Sequence, residues 1–366
     1  MNFIKKTAVI LLVTMLVVSS IPFNVLGSNQ DNLKSNTIVL ADGDVSENIG
    51  AMKNVISGPK VKTTTKSAIT AANGTNLLKI KNGEFIAGHS DGLEIDENDC
   101  LTLQSGKKTG IYYSPIYEGL DFEYLVASWN AYLPGESTIE VEATAFIATD
   151  PMEDPNSGEW SEYLSWGEWG PQIRSGSKSD EFDLVYMSVD EFTVITPDSA
   201  PNQGATKVQF KATLKQGEDT DEQPILRQVS ATWTNTIRKT AVGYAEAPTT
   251  TASSIRLDAP AYSQMVRDPD IGGSICNPTT LTVMLNQRDP HLDLLPEELA
   301  LTVQDFEYGF GNWSYTGSSP GLYGYESYAQ YGDFNIIKQE LSKGHTVGMS
   351  VRYSSYPNGS YPYLET

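Results

Sequence analysis

At 366 residues the chain is long enough for about two domains, each with a buried core of its own. Acidic residues number 46 against 25 basic ones, and the net charge of −21 argues against nucleic acid or an anionic membrane surface as the main partner, since both demand clustered cations. With 19 Tyr, 11 Phe and 6 Trp in a composition that is 39% hydrophobic, the chain is too apolar and aromatic to be mostly disordered.

Lys5 and Lys6 precede an apolar run from Ala8 to Val18, and Val25 and Gly27 put small residues before a cleavage point, so residues 1–27 read as a signal peptide. An uncleaved anchor is the alternative, but the run is shorter than the roughly 18 residues that a membrane span needs. No later segment reads as transmembrane, and no cysteine follows the cleavage point to carry a lipid. The expectation is a secreted, extracellular protein, free or loosely held at the cell surface. Cys100 and Cys276 are too few for a disulfide framework; they could pair with each other or stand as free thiols with separate roles.

Residues 28–84 contain no Phe, Trp or Tyr and read as a flexible leader or propeptide. Alternation then takes over. Ile139, Val141, Ala143, Ala145 and Ile147 recur with period two, as do Val208, Phe210, Ala212 and Leu214, and then Val229, Ala231 and Trp233, each pattern predicting a half-buried strand. Turn clusters at Pro134-Gly135, from Asp150 to Gly158 and from Asp198 to Gly204 separate them, which predicts an antiparallel β-sandwich over residues 85–236. Residues 237–256, rich in Thr, Ser and Ala, read as a linker. The domain expected at 257–366 has a different grammar, with helices predicted from Pro296 to Phe306 and from about Asn335 to Lys343, the latter stopped by Gly344, and a strand from Thr346 to Tyr353.

Between Ile275 and Leu285, Pro278 stands where a first helical turn tolerates proline, and Leu281, Met284 and Leu285 share a side, so Cys276 is predicted at or just before a helix N-terminus. Unsatisfied backbone N–H groups and the positive end of the helix dipole favour an anion there, which makes a sulfur at such a position nucleophilic. Gly272, Gly273 and Ser274 would let the backbone approach a substrate closely, and the Cys276 N–H could help to hold an oxyanion. On spacing alone, an inert thiol opening a core helix is the competing reading.

Ala259-Pro260-Ala261-Tyr262-Ser263-Gln264, Cys276 heading a helix, Gly311-Asn312-Trp313, and a Lys-Gly turn into the strand ending Ser350-Val351-Arg352-Tyr353 come in the order found in the C39-like family of secreted bacterial cysteine peptidases, which residues 257–366 resemble. The stretches from Ala127 to Ala131, Ile139 to Glu142 and Trp160 to Trp169 resemble the β domain that often precedes such peptidases. The resemblance implies a multidomain protein, an antiparallel β-sandwich followed by an incomplete α+β papain-like cysteine peptidase domain. It implies thiol-dependent hydrolysis of a peptide or protein substrate without a cofactor, Cys276 being the nucleophile and Gln264 the oxyanion donor. The twelve-residue gap between these two is longer than the tightest papain-like spacing.

The resemblance also places the catalytic histidine on a strand beyond the one ending near Tyr353, and no histidine follows in the sequence before Thr366, so the peptidase domain reads as C-terminally truncated. Of the three histidines, His89 reads as a surface-loop residue, His291 as a solvated turn residue, and His345 as structural or superficial, although its place at a strand start makes it the most tempting base. The rival from another class is a catalytically dead product whose sandwich contacts glycan, cell wall or protein. No zinc spacing occurs, the acidic stretch from Asp150 to Asp154 reads as a solvated loop in preference to a calcium site, and the aromatics from Tyr308 to Tyr331 could line a peptide groove, stack on sugars or simply pack.

Overall fold

The computed structural model describes residues 76–172, 181–235, 258–332 and 334–350, with the backbone of short strands at 14–22, 39–40, 43–44, 352–355 and 362–365. The linker expected at 237–256 and most of the expected leader lie outside the described residues.

Two seven-stranded antiparallel sheets carry most of the fold. The first runs, edge to edge, through 185–188, 191–194, Tyr124–Tyr132, Ile225–Thr234, 101–103 and 93–95, with Leu77–Lys81 also paired to Ile225–Thr234. The second runs through 158–160, Thr138–Ala148, Gly204–Lys215, 109–113 and 89–91, with 164–169 and 117–122 attached. Alternation does what it predicted: Ile139, Val141, Ala143, Ala145 and Ile147 are buried, and Glu142 on the other face pairs with Lys211 at 2.5 Å. Trp129, Trp166, Trp169, Phe122, Phe192 and Phe210 fill the core.

The leader boundary needs a correction. Leu77–Lys81, expected to be leader, is a strand of the first sheet whose Leu78 and Ile80 are buried, and the turn after it buries Phe85. Five residues without an aromatic are too short a signal to stand out from the leader, and pairing with Ile225–Thr234 supplies what local sequence does not.

Tyr124–Tyr132 departs from simple alternation, because its residues from Leu125 to Ala131 are all buried. Its inward side chains enter the sandwich core, while its outward Ser128 and Asn130 meet the second half of the chain. That half contributes four helices, α1 (Cys276–Arg288), α2 (Pro296–Val303), α3 (Trp313–Leu322) and α4 (Phe334–Ser342), and the strand Tyr325–Tyr331. Proline at the start of α2 and the Glu298 carboxylate accepting the Leu295 N–H at 2.7 Å form its cap; Gly344, at φ +82°, takes the left-handed turn that follows α4. Backbone N–H groups of Ser327, Ala329 and Tyr331 donate to Asn130 Oδ1 (3.1 Å), Ser128 Oγ (3.3 Å) and Thr232 Oγ1 (3.0 Å). Sandwich side chains thus serve alternate residues of a strand that lies outside their sheet.

In a third sheet, Thr14–Pro22 takes the middle position, antiparallel to Tyr325–Tyr331 and to Thr346–Met349. Among the described residues no helix is long and apolar enough to cross a membrane.

Candidate active site around Cys276

Helix α1 begins at Cys276, with the buried Ile275 as its N-cap. Leu281, Met284 and Leu285 seat the helix against Leu294, Leu299 and Val303, which leaves Cys276 at the exposed end. The first-turn N–H groups of a helix have no intrahelical acceptor, so the Cys276 thiol lies beside donors that an oxyanion can use. Cys100 is different. It is buried, its thiol donates to the Asn98 carbonyl at 3.4 Å, and burial, with Asp96 second, pushes it up to about 12. Both cysteines are free, so the disulfide alternative does not apply.

The loop before Cys276 is built by short-range bonds. Gly272 N–H donates to Asp268 O at 2.7 Å, Ser274 N–H to Ile271 O at 2.8 Å, and a Cβ on Gly272 would meet Gln264 O at 2.8 Å, which is why glycine stands there. Gln264 opens a 3-10 turn and its Nε2 donates to Gly272 O at 3.0 Å. The structure thereby ties the predicted oxyanion donor to the segment leading into the predicted nucleophile, and the amide keeps a second N–H. Arg267 forms a two-pronged pair with Glu297 at 2.8 and 2.6 Å, fastening this turn to the start of α2 and holding the Glu297 carboxyl below its ordinary value.

A link from the residue after Cys276 to α3 escaped the sequence reading. Asn277 Nδ2 donates to Phe310 O at 3.0 Å and to Thr316 Oγ1 at 2.5 Å, and Thr316 Oγ1 donates to Asn312 O at 2.7 Å. Nothing about an isolated Asn or Thr announces such a link. The aromatic run is divided by the structure: Tyr315, Tyr325, Tyr328 and Tyr331 are buried, while Tyr308 is exposed.

None of the three histidines comes to Cys276. His89 is exposed on the 89–91 strand of the sandwich, a strand where a loop was expected. His291 follows α1 directly, its N–H donating to Asp289 at 2.9 Å. His345 is buried, with Nδ1 2.6 Å from Glu340 Oε2; burial alone would raise the Glu340 carboxyl, but hydrogen bonds from His345 and Lys343 overcome it and hold it at about 2. Arg288 reaches both Gly344 O and, at 3.0 Å, Thr346 Oγ1, so His345 sits by the C-terminal end of α1. At about 1.5 Å per residue that end is about 18 Å from Cys276, and His291 is at the same end. Among the described residues no cluster of His, Cys, Asp or Glu is arranged to hold a metal, and Asp150 accepts from Met152 N–H in its own turn at 3.0 Å and from Asn202 Nδ2 in a neighbouring one at 2.8 Å.

Compared with known families, residues 63–234 match the peptidase C39 N-terminal domain and residues 256–361 match the peptidase C39-like family. No curated protein matches. Among solved structures, the enzymatically active domain of tailspike protein 4 from bacteriophage CBA120 is similar at a TM-score of 0.20 and 8% identity over 48% of this chain and 22% of that one. The likeness is too slight to carry an argument, and the chain spans about a fifth of the tailspike's length.

Proposed function

Since the chain belongs to the C39-like peptidase family, we propose that it is an exported cysteine peptidase in which Cys276 attacks a peptide carbonyl within a papain-like α+β half. One observation carries the reading: of two free cysteines, the exposed one stands at the first residue of a thirteen-residue helix. The Cys276 sulfur forms a bond to the carbonyl carbon, the oxygen takes the negative charge, and the Cys276 N–H with the second N–H of Gln264 receives it. Collapse expels the amine with the proton that the thiol gave up, and water then cleaves the thioester to the acid. The thiol's proton needs a carrier beside Cys276, and neither His291 nor His345, at the far end of α1, stands there.

That requirement sets the experiment. Peptide hydrolysis by the purified chain is followed with and without millimolar imidazole, beside Cys276→Ala. Hydrolysis that imidazole accelerates and that Cys276→Ala abolishes supports the reading; hydrolysis indifferent to Cys276→Ala, or none under either condition, overturns it. The export part of the reading rests on the basic, apolar and small-residue order of residues 1–27. N-terminal sequencing of protein recovered outside the cell checks it, a mature start after residue 27 being expected. Such cleavage would also vacate the middle position of the third sheet.

A further inference from the structure

We infer that the β-sandwich is the positioning element of the Cys276 site: it clamps α3 end to end, and α3 in turn fixes Asn277, the residue that follows the nucleophile. The inference rests on the peptidase reading only for its consequence in catalysis; the mechanical link stands on the contacts themselves.

Helix α3 is a weak helix by sequence, with Gly317, Pro320 and Gly321 among its ten residues. The sandwich supplies what the sequence withholds. At the N-terminus Asp190 Oδ2 accepts the Trp313 N–H at 2.5 Å, and at the C-terminal end Arg227 Nη1 donates to Gly321 O at 3.0 Å. The Asp190 oxygen gives the first turn an acceptor, and the guanidinium at the negative end matches the direction of the helix dipole. Between them Ser318 Oγ accepts the Trp129 N–H at 2.9 Å, and Tyr315 OH donates to Trp166 O at 2.8 Å. The glycines are dictated by this seat, since a Cβ at 317 would lie 2.9 Å from Ser128 Cβ and one at 321 would lie 2.8 Å from Asn130 Cα. A slip of one residue, about 1.5 Å along the axis, would break all four bonds, so the sandwich sets both the position and the axial register of α3.

The other flank of α3 carries Thr316, whose Oγ1 accepts from Asn277 Nδ2 at 2.5 Å. Since Asn277 also donates to Phe310 O at 3.0 Å, in the loop leading into α3, both contacts that orient it move with that helix. The path runs from Asp190 through Trp313 and Thr316 to Asn277 and the first turn of α1. It is continuous in hydrogen bonds and in one short helix, and it reaches Cys276 through Asn277, while Trp313 also packs on the apolar cluster that seats α1.

The test is amide hydrogen exchange on the full chain, comparing wild type with Asp190→Ala, Asp190→Asn and Thr316→Val. Asp190→Ala is expected to speed exchange by about tenfold both in 313–316 and in the first turn of α1, read at Thr279, whose N–H donates to Ile275 O at 3.0 Å, because a lost acceptor opens the turns that depended on it. Thr316→Val is expected to do the same in the first turn of α1 alone. Asp190→Asn keeps an acceptor for the Trp313 N–H and is expected to stay within about threefold of wild type. Should Asp190→Ala fail to fold, Thr316→Val against Asp190→Asn carries the comparison. Exchange in the first turn of α1 that Thr316→Val leaves unchanged overturns the inference, as does a response to Asp190→Ala confined to 313–316. In the peptidase assay Thr316→Val is expected to lower kcat and leave KM near its wild-type value. Hydrolysis that never depended on Cys276 would sink the peptidase reading and leave the exchange result standing.

Discussion

Asp190 makes a pH-dependent prediction whose size follows from its surroundings. Burial is the largest influence on its carboxyl and raises it from 3.8 to about 7, against the Trp313 hydrogen bond and with help from Glu191 and Asp305. The native state therefore holds this proton up to near neutrality, while the unfolded chain gives it up near 3.8. Between those limits folding takes up a proton, so this group's contribution to stability is fully present below the lower value and is lost as pH rises to about 7. At about 1.36 kcal/mol per pH unit, the loss from pH 5 to pH 8 comes to about 3 kcal/mol. Asp190→Asn removes the titration and keeps the shape. Guanidinium unfolding of wild type and variant at both pH values isolates the effect, since every other titrating group is common to the two. The variant is expected to gain about 3 kcal/mol relative to wild type on going from pH 5 to pH 8. A difference that stays flat, or that moves the other way, would show a carboxylate ionised throughout and refute the reasoning.

Tyr315→Ala removes a ring stacked on Trp169 at 6.3 Å and edge-on to Trp129 at 6.2 Å, and should cost about 3–5 kcal/mol in the same unfolding assay. Glu326 is buried and meets Lys79 and Lys81 of the sandwich at 3.0 Å each, so Glu326→Gln should cost about 3–5 kcal/mol by leaving two partly buried ammonium groups without their counter-ion. Thiol labelling of the folded protein at pH 8 should modify Cys276 alone, and Cys100 should follow only on unfolding, with mass spectrometry of peptides assigning the sites. Acid should remove a further contribution as the pH falls from about 4.5 toward the value of about 2 at which Glu340 is held, an effect that Glu340→Gln would abolish in acid unfolding curves.

The strands at 138–148 and 204–215 were legible because one of their faces is solvated, so burial wrote period two into the sequence. Tyr124–Tyr132 was only half legible: its outward Ser128 and Asn130 look solvent-facing, yet they bind the second half of the chain. Helix α3 was not legible at all. Asn312 caps it locally, but its glycines and proline weaken the helical signal that follows, and the reason they are tolerated lies in a sandwich surface that local sequence does not contain. The place of Cys276 at a helix start was legible because Pro278 and the apolar spacing of α1 are local features. Asp190 and Arg227 were missed because each serves a residue far along the chain, at separations of 123 and 94 residues.

The seat of α3 has a consequence for how such a gene can change over generations. Gly317 and Gly321 fit only a surface shaped like the strand that carries Ser128 and Asn130, and on that surface the Trp129 N–H and the Arg227 guanidinium find acceptors in α3. Recombination that joined this second half to another β domain would leave a helix without its seat and a sandwich with an uncovered face. The two family regions are therefore expected to be inherited as a pair, with substitutions at 128, 130, 317 and 321 tracking one another across lineages.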